Sequence, residues 1–304
     1  MGSPDPLDFY DVGALLDDDE RLIRATVGRF VDREVTPIIS DCFAAERFPT
    51  ELVPRLAELG LFGATLHGYG CPGLGHTAYG LVCEELERGD SSVRSCVSVQ
   101  SSLVMGAIHA CGSEEQRSRW LPALARGEKL GCFALTESHG GSDPGRMRTR
   151  ARRRGGDWVL EGAKHWITNG ALADVAVVWA ATDDGVNAFL VEKGSGGFES
   201  RVIKNKLSLR ASSTAELTLT DVGIPESARL PEAKGLKAAL RCLDDARFGI
   251  AWGACGAART LFHFASEICA LVAMPSSLSF ARRHAISCAP VSLRTASASR
   301  DWIS

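Results

Sequence analysis

Two segments of the chain concentrate residues whose types and spacing suit the binding of a polar ligand. The first is the run Cys132-Phe-Ala-Leu-Thr-Glu-Ser-His-Gly-Gly-Ser-Asp-Pro144, an apolar stretch that opens into a loop rich in hydroxyl groups, glycine and acid. Such a loop lets backbone N–H groups approach a ligand closely. The second, Lys164-His-Trp-Ile-Thr-Asn-Gly170, places the indole of Trp166 two residues from the hydroxyl of Thr168. On one strand both side chains would face the same side, where a planar polar ring would suit them.

A third segment introduces a lone positive charge into an apolar helix. It is Asp90-Ser-Ser-Val-Arg-Ser-Cys-Val-Ser-Val-Gln-Ser-Ser-Leu-Val-Met105, and the cation is Arg94. A buried cation needs an anion. The position therefore predicts either an acidic ligand at Arg94 or a structural role, in which the guanidinium reaches solvent or a nearby Asp.

Up to about Gly127 the pattern that must position these segments is helical, because apolar residues recur at helical spacing between capping residues. Pro37 is expected to end the first helix. The expected helices are Asp19–Val35, a short helix from a Thr50 cap to Gly60, His76–Arg88, Ser91–Cys111, and one that begins at a capping box of Ser113 and Gln116.

After Gly131 the period changes to alternation with frequent turn residues, which indicates strands. Glu216–Asp221 alternates with Leu217 and Leu219 on one face. A β-barrel or sandwich fits better than a parallel sheet, because no helix separates the strands. The expected hairpins join Arg148–Arg154 to Asp157–Leu160 and Val175–Thr182 to Val186–Val191.

The layout predicts an α+β protein of several units. Helix returns from Leu236 to about Ile268, and the residues beyond are rich in Ser, Ala and Arg. That composition is typical of solvated chain. The expected units are an N-terminal helical domain (1–130), a middle β domain (131–232), the first helix of an incomplete C-terminal helical domain (233–268) and a divergent, disordered tail (269–304).

Composition excludes several classes of function. A net charge of -3 gives no electrostatic footprint for nucleic acid, and no apolar stretch or polybasic run indicates a membrane. The acidic, proline-interrupted N-terminus resembles neither a secretory signal nor a transit peptide, so we expect a cytoplasmic location, or the mitochondrial matrix in a eukaryote. The 10 cysteines and 7 histidines show no ligand spacing, so we expect reduced thiols and no metal.

With both polar segments in this order, the chain resembles the acyl-CoA dehydrogenases. In that family Phe-x-Leu-Thr-Glu-x-x-x-Gly-Ser-Asp and Trp-Ile-Thr-Asn line the isoalloxazine of FAD, and the resemblance extends from the first helices to about Ala265. It implies FAD as cofactor, an acyl-CoA substrate, electron-transfer flavoprotein as acceptor, and a homotetramer that we do not expect this chain to retain. The family usually has Pro at Ser138, so the loop is expected to be looser here. The implied cofactor contacts are Phe133, Leu135, Thr136, Gly141, Ser142, Trp166, Ile167 and Thr168.

Within the family, Arg94 and Ser95 followed by Val-Gln-Ser-Ser-Leu resemble the glutaryl-CoA dehydrogenase branch, whose Arg pairs with the free carboxylate of the glutaryl chain. That resemblance implies α,β-dehydrogenation and decarboxylation of glutaryl-CoA to crotonyl-CoA, a step of lysine and tryptophan degradation. The stretches Lys206–Thr214 and Cys242–Trp252 also resemble this branch, although Asn is more usual at Asp244 and Asp245. The implied substrate contacts are Arg94, Ser95, Ser142, Leu243, Asp244, Arg247 and Phe248.

No catalytic residue can be assigned. The family's base is a Glu within a Tyr-Glu-Gly-Thr type motif, and neither that motif nor the family's Arg-x-x-Phe-Gly segment occurs in the chain. We therefore hypothesise a truncated or frameshifted product with impaired turnover and poor FAD retention. The alternatives are a general short-chain acyl-CoA dehydrogenase and a non-catalytic remnant that binds FAD or acyl-CoA.

Two further patterns are better explained by structure. Gly68-Tyr-Gly-Cys-Pro-Gly73 spells a dinucleotide-binding fingerprint, but Pro72 removes a backbone donor that such a loop uses, so we expect a connection between helices. The five arginines between 148 and 154 are expected on a solvated hairpin face.

Overall fold

The computed structural model describes residues 10–273, and side chains as far as 269. Short 3-10 turns are found at Val12–Leu15, Thr50–Leu52, Pro144–Arg146 and Glu226–Ala228. Wider π-type turns at Val31–Val35 and Val99–Met105 join α1 to α2 and α5 to α6. The helices are α1 (Asp18–Phe30), α2 (Thr36–Ala44), α3 (Val53–Glu58), α4 (His76–Gly89), α5 (Ser91–Ser98), α6 (Gly106–Cys111), α7 (Glu114–Ala125) and α8 (Leu236–Ala273).

Most of the expected helices are confirmed, and local signals set their ends. α4 follows the predicted range almost residue for residue. The capping box at α7 is present in both directions, because Ser113 Oγ accepts the Gln116 N–H at 3.2 Å and Gln116 Oε1 accepts the Ser113 N–H at 2.9 Å. The predicted helix Ser91–Cys111 is one continuous helical path that widens in the middle.

Two expectations about helix ends are wrong. The chain stays helical past Pro37, which occupies the first turn of α2, where a missing backbone N–H costs little. Thr50 starts a 3-10 turn before α3 but makes no side-chain capping hydrogen bond. In both cases the broad pattern is right, and the residue assigned to the boundary is not.

The strands form a two-stranded hairpin and a seven-stranded sheet. β1 (His67–Gly68) and β2 (Cys71–Pro72) pair between α3 and α4, which confirms that the glycine-rich motif connects helices. In the large sheet the order is β3-β6-β4-β5-β9-β8, with β7 on β6. Its strands are β3 (Gly131–Ala134), β4 (Arg150–Arg154), β5 (Asp157–Thr168), β6 (Val175–Thr182), β7 (Gly185–Glu192), β8 (Phe198–Val202) and β9 (Thr214–Ile224).

The sheet is largely antiparallel, and both predicted hairpins are confirmed. The exceptions are β3 and β4, which both pair with β6 in parallel. One face of the sheet contributes Phe133, Val177 and Trp179 to the core shared with the helices. The other face forms its own apolar cluster, which draws on β3, β5, β6, β7 and β9 and includes Leu217 and Leu219. The sheet is therefore curled around its own core, as a barrel-type fold requires.

Close backbone contact joins α8 to α4. A Cβ added at Gly256 would lie 2.0 Å from the Glu84 carbonyl oxygen, and one added at Gly80 would lie 2.3 Å from the ring of Trp252. Arg259 of α8 also forms an ion pair with Glu84 at 2.8 Å. α8 thus continues the helical layer beside α4.

α8 is described as far as Ala273, five residues beyond the expected end at Ile268, so residues 269–273 continue the helix. Residues 274–304, where most of the expected tail falls, lie outside the described part of the chain. Within residues 10–273, none of the helices combines the length and the apolar character needed to cross a bilayer.

Candidate functional site

Thr136 and Trp166 are brought together by a backbone hydrogen bond. The N–H of His165 donates to the carbonyl oxygen of Thr136 at 2.9 Å, so the segment that follows β3 lies against the C-terminal part of β5. The indole of Trp166 is 55% exposed, and the ring of His165 meets it edge-on with 4.9 Å between centroids. A large aromatic ring at the surface beside a polar loop is typical of a ligand platform.

The local backbone differs from the regular strand that the sequence predicted. β5 bulges against β9 between Lys164 and Ile167, and Trp166 has a φ of 61°. A positive φ is strained for a bulky residue, and such residues cluster at functional sites. Trp166 and Thr168 are nonetheless both accessible, on either side of the buried Ile167.

Two hydroxyl groups beside the indole are free to bind a ligand. Thr136 and Thr168 are half-buried. Neither Oγ1 has a hydrogen-bond partner among residues 10–273. Half-buried hydroxyls without partners, next to an exposed ring, fit the polar edge of a planar heterocycle.

A buried ion pair lies beneath these residues. Lys164 Nζ donates to Glu137 Oε1 at 2.9 Å, and the two side chains are 0% and 3% exposed. Burial raises the pKa of Glu137, but hydrogen bonding by the Thr149 side chain and the Arg148 N–H, together with the ammonium of Lys164, lowers it more, so the pKa is about 2. Burial lowers the pKa of Lys164, and Glu137 opposes that shift. Because its pKa is so low, Glu137 is an anion near neutral pH.

Glu137 stands at the start of the loop that carries Gly141 and Ser142, and its carboxylate binds the backbone at the end of that loop. The Glu137 carboxylate accepts the N–H groups of Arg148 at 2.6 Å and Thr149 at 2.9 Å. Both Gly141 and Ser142 are exposed. The two ends of the loop are therefore held together, although the loop has Ser138 where the family usually has proline.

Three of the expected cofactor contacts are core residues. The side chains of Phe133 and Leu135 lie in the core shared with the helices, and that of Ile167 lies in the cluster inside the curled sheet. Phe133 packs against Trp179 with 5.7 Å between ring centroids. These three side chains are buried, so a ligand at the surface would meet mainly their backbone atoms.

Arg94 is not the lone cation that the sequence suggested. It is 9% exposed, and its Nε donates to the carboxylate of Glu87 on α4, which also accepts the hydroxyl of Ser91. Ser95 is half-buried beside it. Sequence reasoning missed Glu87, because the two residues lie on different helices and no spacing rule within one helix pairs them.

A polar stripe on α4 faces glycines of α8. Tyr79, Cys83 and Glu87 recur every four residues, on one face of the helix. A Cβ added at Gly249 would lie 3.0 Å from Cys83 Sγ, and one added at Gly253 would lie 3.0 Å from Glu87 Oε2. The glycines therefore bring the α8 backbone close to the Glu87–Arg94 pair.

Gln100 joins the arginine segment to the strand that leads to Thr136. It is fully buried, and its Oε1 accepts the Gly131 N–H at 2.9 Å. Its Nε2 donates to the carbonyl oxygens of Leu124 at 3.1 Å and Lys129 at 3.0 Å. The helix that carries Arg94 and the strand that leads to Thr136 are thus fixed to each other.

The predicted substrate contacts on α8 lie near its start. Leu243 is half-buried, and Phe248 is 37% exposed and meets the ring of His76 with 5.9 Å between centroids. Asp244 and Arg247 are exposed and pair with each other at 2.8 Å. The structure therefore places these residues on a helix that borders the polar stripe, but Arg247 already has a partner.

Comparison with known proteins decides the family. Residues 17–128 match the model for the acyl-CoA dehydrogenase N-terminal domain, and residues 132–222 match the model for the middle domain. The structure of butyryl-CoA dehydrogenase from Megasphaera elsdenii is 33% identical, with a TM-score of 0.79 over 83% of this chain and 69% of that chain. The chain belongs to the acyl-CoA dehydrogenase family. The resemblance drawn from the two motifs is therefore confirmed.

Two other relatives differ in their substrates. A glutaryl-CoA dehydrogenase from Mycobacterium smegmatis, solved in complex with FADH2, is 55% identical, with a TM-score of 0.83 over 84% of this chain and 66% of that chain. The short-chain specific acyl-CoA dehydrogenase of Rattus norvegicus is 39% identical over 251 residues, which are 80% of this chain. The chain spans 61% of the rat protein's length.

Proposed function

We propose that this chain binds FAD and an acyl-CoA thioester and takes part in α,β-dehydrogenation, with glutaryl-CoA as the preferred thioester. The observation that carries the proposal is the exposed indole of Trp166, held beside Thr136 by a backbone hydrogen bond. Members of the family are FAD-dependent oxidoreductases, and one similar structure contains FADH2.

The residues present fit the flavin. The free face of the Trp166 indole suits a planar tricyclic ring, since offset stacking of aromatic systems is favourable. The hydroxyls of Thr136 and Thr168 lack partners among residues 10–273 and suit the polar edges of such a ring. Ser142, on the exposed loop, is proposed to lie between the cofactor's pyrophosphate and the thioester.

In the proposed reaction the thioester loses its α-proton and a hydride from its β-carbon, and forms the enoyl-CoA. When bound, FAD would supply the acceptor for this hydride, which is the redox part of the chemistry. The chain's own residues would orient the two partners and exclude water: Trp166 would cover one side of the ring, and Thr136 and Thr168 would fix its rotation. In the glutaryl case, loss of the distal carboxylate as CO2 and uptake of a proton from solvent at the γ-carbon then give crotonyl-CoA.

The α-proton requires a base, and the family's Tyr-Glu-Gly-Thr motif is absent from these 304 residues. Glu87 does not replace that base, because its carboxylate already binds Arg94 and Ser91. We therefore propose that these residues alone bind cofactor and substrate but turn the substrate over weakly. Electron-transfer flavoprotein is the proposed acceptor.

Arg94 supports the choice of a dicarboxylic thioester. Glu87 occupies Nε only, and the terminal guanidinium nitrogens have no hydrogen-bond partner among residues 10–273. A guanidinium has five N–H donors, so the free ones can bind a second carboxylate. The 55% identity to a glutaryl-CoA dehydrogenase supports the same substrate.

Binding of two thioesters to the FAD-loaded protein tests the proposal, with the flavin difference spectrum as the measurement. Arg94→Met should weaken glutaryl-CoA binding by about tenfold or more and leave butyryl-CoA binding within about twofold, because only the former carries a distal charge. Arg126→Met is the control, since Arg126 is exposed on the far end of α7.

Equal effects of Arg94→Met on both thioesters would contradict the glutaryl assignment and favour a general short-chain enzyme, as the rat relative suggests. Wild-type protein that binds FAD but neither thioester would favour a non-catalytic remnant. Protein that elutes from gel filtration without flavin, after incubation with excess FAD, would contradict the proposal altogether.

A further inference from the structure

We infer that the buried ion pair of Lys164 and Glu137 is a positioning pair that sets the flavin-contact residues relative to one another. The inference rests on the proposed function, because it concerns the same site. Neither residue touches the exposed face where the ring would lie, since both side chains are buried. Their effect on the site is therefore indirect.

Lys164 forms hydrogen bonds to the residues on both sides of Thr136. Its Nζ donates to the Leu135 carbonyl oxygen at 3.0 Å and to Glu137 Oε1 at 2.9 Å. The next residue, His165, donates its N–H to the Thr136 carbonyl oxygen at 2.9 Å. Three consecutive residues, 135–137, are thus held by the two residues that precede Trp166.

Glu137 extends the same arrangement to the polar loop. Its two carboxylate oxygens accept the N–H groups of Arg148 and Thr149, at the far end of the loop that carries Ser142. The Glu137 carboxylate therefore holds the two ends of the loop together. The Lys164 ammonium links this carboxylate to the strand segment that bulges at Trp166. The hydroxyl of Thr136, the indole and the loop hydroxyl share a single buried anchor.

The chemistry of the pair suits positioning better than simple packing. Burying two charges costs free energy, and an apolar pair of similar volume often stabilises a protein at least as well. What charges add is direction, because each donor and acceptor fixes an angle as well as a distance. Four hydrogen bonds involve Lys164 and Glu137: three to the backbone of Leu135, Arg148 and Thr149, and one between the two side chains.

The test compares FAD affinity with folding stability in matched variants. Lys164→Met keeps most of the length of the side chain and removes the charge, and Glu137→Gln keeps the volume and removes the charge from the other partner. Arg259→Met is the control, because Arg259 also forms largely buried ion pairs, with Glu84 and Glu85, at the interface of α8 and α4. FAD affinity is measured by quenching of flavin fluorescence, ring orientation by visible circular dichroism of bound flavin, and stability by urea unfolding.

Lys164→Met and Glu137→Gln should each weaken FAD binding by about tenfold or more, equivalent to ~1.4 kcal/mol, and change the circular dichroism of the flavin. Arg259→Met should lower the urea midpoint and leave both flavin measurements unchanged. Lys164→Arg should recover part of the affinity, since a guanidinium still donates to both partners.

Three outcomes separate the possibilities. Wild-type protein that fails to quench flavin fluorescence refutes the proposed function and leaves no site for the pair to position. Wild-type binding with unchanged affinity and dichroism in folded Lys164→Met overturns the positioning role. If Lys164→Met does not fold, Glu137→Gln decides in the same way, because its side chain retains the volume and one acceptor oxygen.

Discussion

Two glycine-to-alanine substitutions should have opposite effects on stability, because Gly256 lies where α8 packs on α4 and Gly106 lies in α6. In Gly256→Ala the new Cβ would lie 2.0 Å from the carbonyl oxygen of Glu84, which is backbone and cannot rotate away. The two helices must separate, and the ion pair of Arg259 with Glu84 must loosen with them. In Gly106→Ala the nearest atom would be the Ser101 carbonyl oxygen at 3.6 Å, an ordinary contact.

The expected magnitudes follow from two competing terms. Alanine favours a helix over glycine by about 1 kcal/mol. Overpacking costs about 1–3 kcal/mol, and a backbone obstacle places Gly256→Ala near the upper limit. We therefore expect Gly256→Ala to lower the free energy of unfolding by about 2 kcal/mol and Gly106→Ala to raise it by as much as about 1 kcal/mol.

Urea unfolding followed by far-ultraviolet circular dichroism measures both values, with the slope of the transition checked for equality between variants. Because Gly253 places the α8 backbone near Glu87, Gly256→Ala should also weaken glutaryl-CoA binding. A Gly256→Ala protein as stable as Gly106→Ala would refute the close packing of α8 on α4 and the description of the substrate side of the site.

Three further substitutions test the cofactor side. Glu137 has a folded-state pKa of about 2 against an ordinary value of 4.5. Its charge therefore stabilises the fold fully above pH 4.5, and this stabilisation disappears as the pH falls toward 2. Between pH 6 and pH 3 the free energy of unfolding in urea should fall less for Glu137→Gln than for wild type. Trp166→Ala should change the free energy of unfolding by less than about 1 kcal/mol, since the indole is 55% exposed. It should also abolish most of the quenching of flavin fluorescence. Quenching equal to that of wild type would show that Trp166 is not part of the flavin site. Gln100→Leu leaves the Gly131 N–H and two carbonyl groups without partners, so it should destabilise the protein by roughly 2–4 kcal/mol in urea, and a neutral result would contradict the link between π turn and strand.

Local patterns in the sequence predicted the helices, the hairpins and the family. Helical periodicity located α4, and a two-residue capping box located the start of α7, because both signals act within a few residues. The hairpin of β4 and β5 followed from Gly155 and Gly156 between alternating runs. The two motifs resembled the family through residues that stand close together in sequence.

Contacts between distant elements were not predictable in the same way. Glu87 meets Arg94 across two helices, and Lys164 meets Glu137 from another strand, so neither pair follows from spacing in one element. The bulge at Trp166 adds one residue to β5, and alternation alone does not reveal it. Pro37 was misread because its position within the helix, and not its identity, decides whether it ends the helix.

The central claim is that the surface around Trp166 and Thr136 holds a flavin ring. The most direct measurement is the absorbance spectrum of purified protein after incubation with FAD and gel filtration. The account predicts that the protein peak absorbs near the flavin bands, and that Trp166→Ala at equal concentration loses most of that absorbance. A colourless wild-type peak, or an equally yellow Trp166→Ala peak, would contradict it.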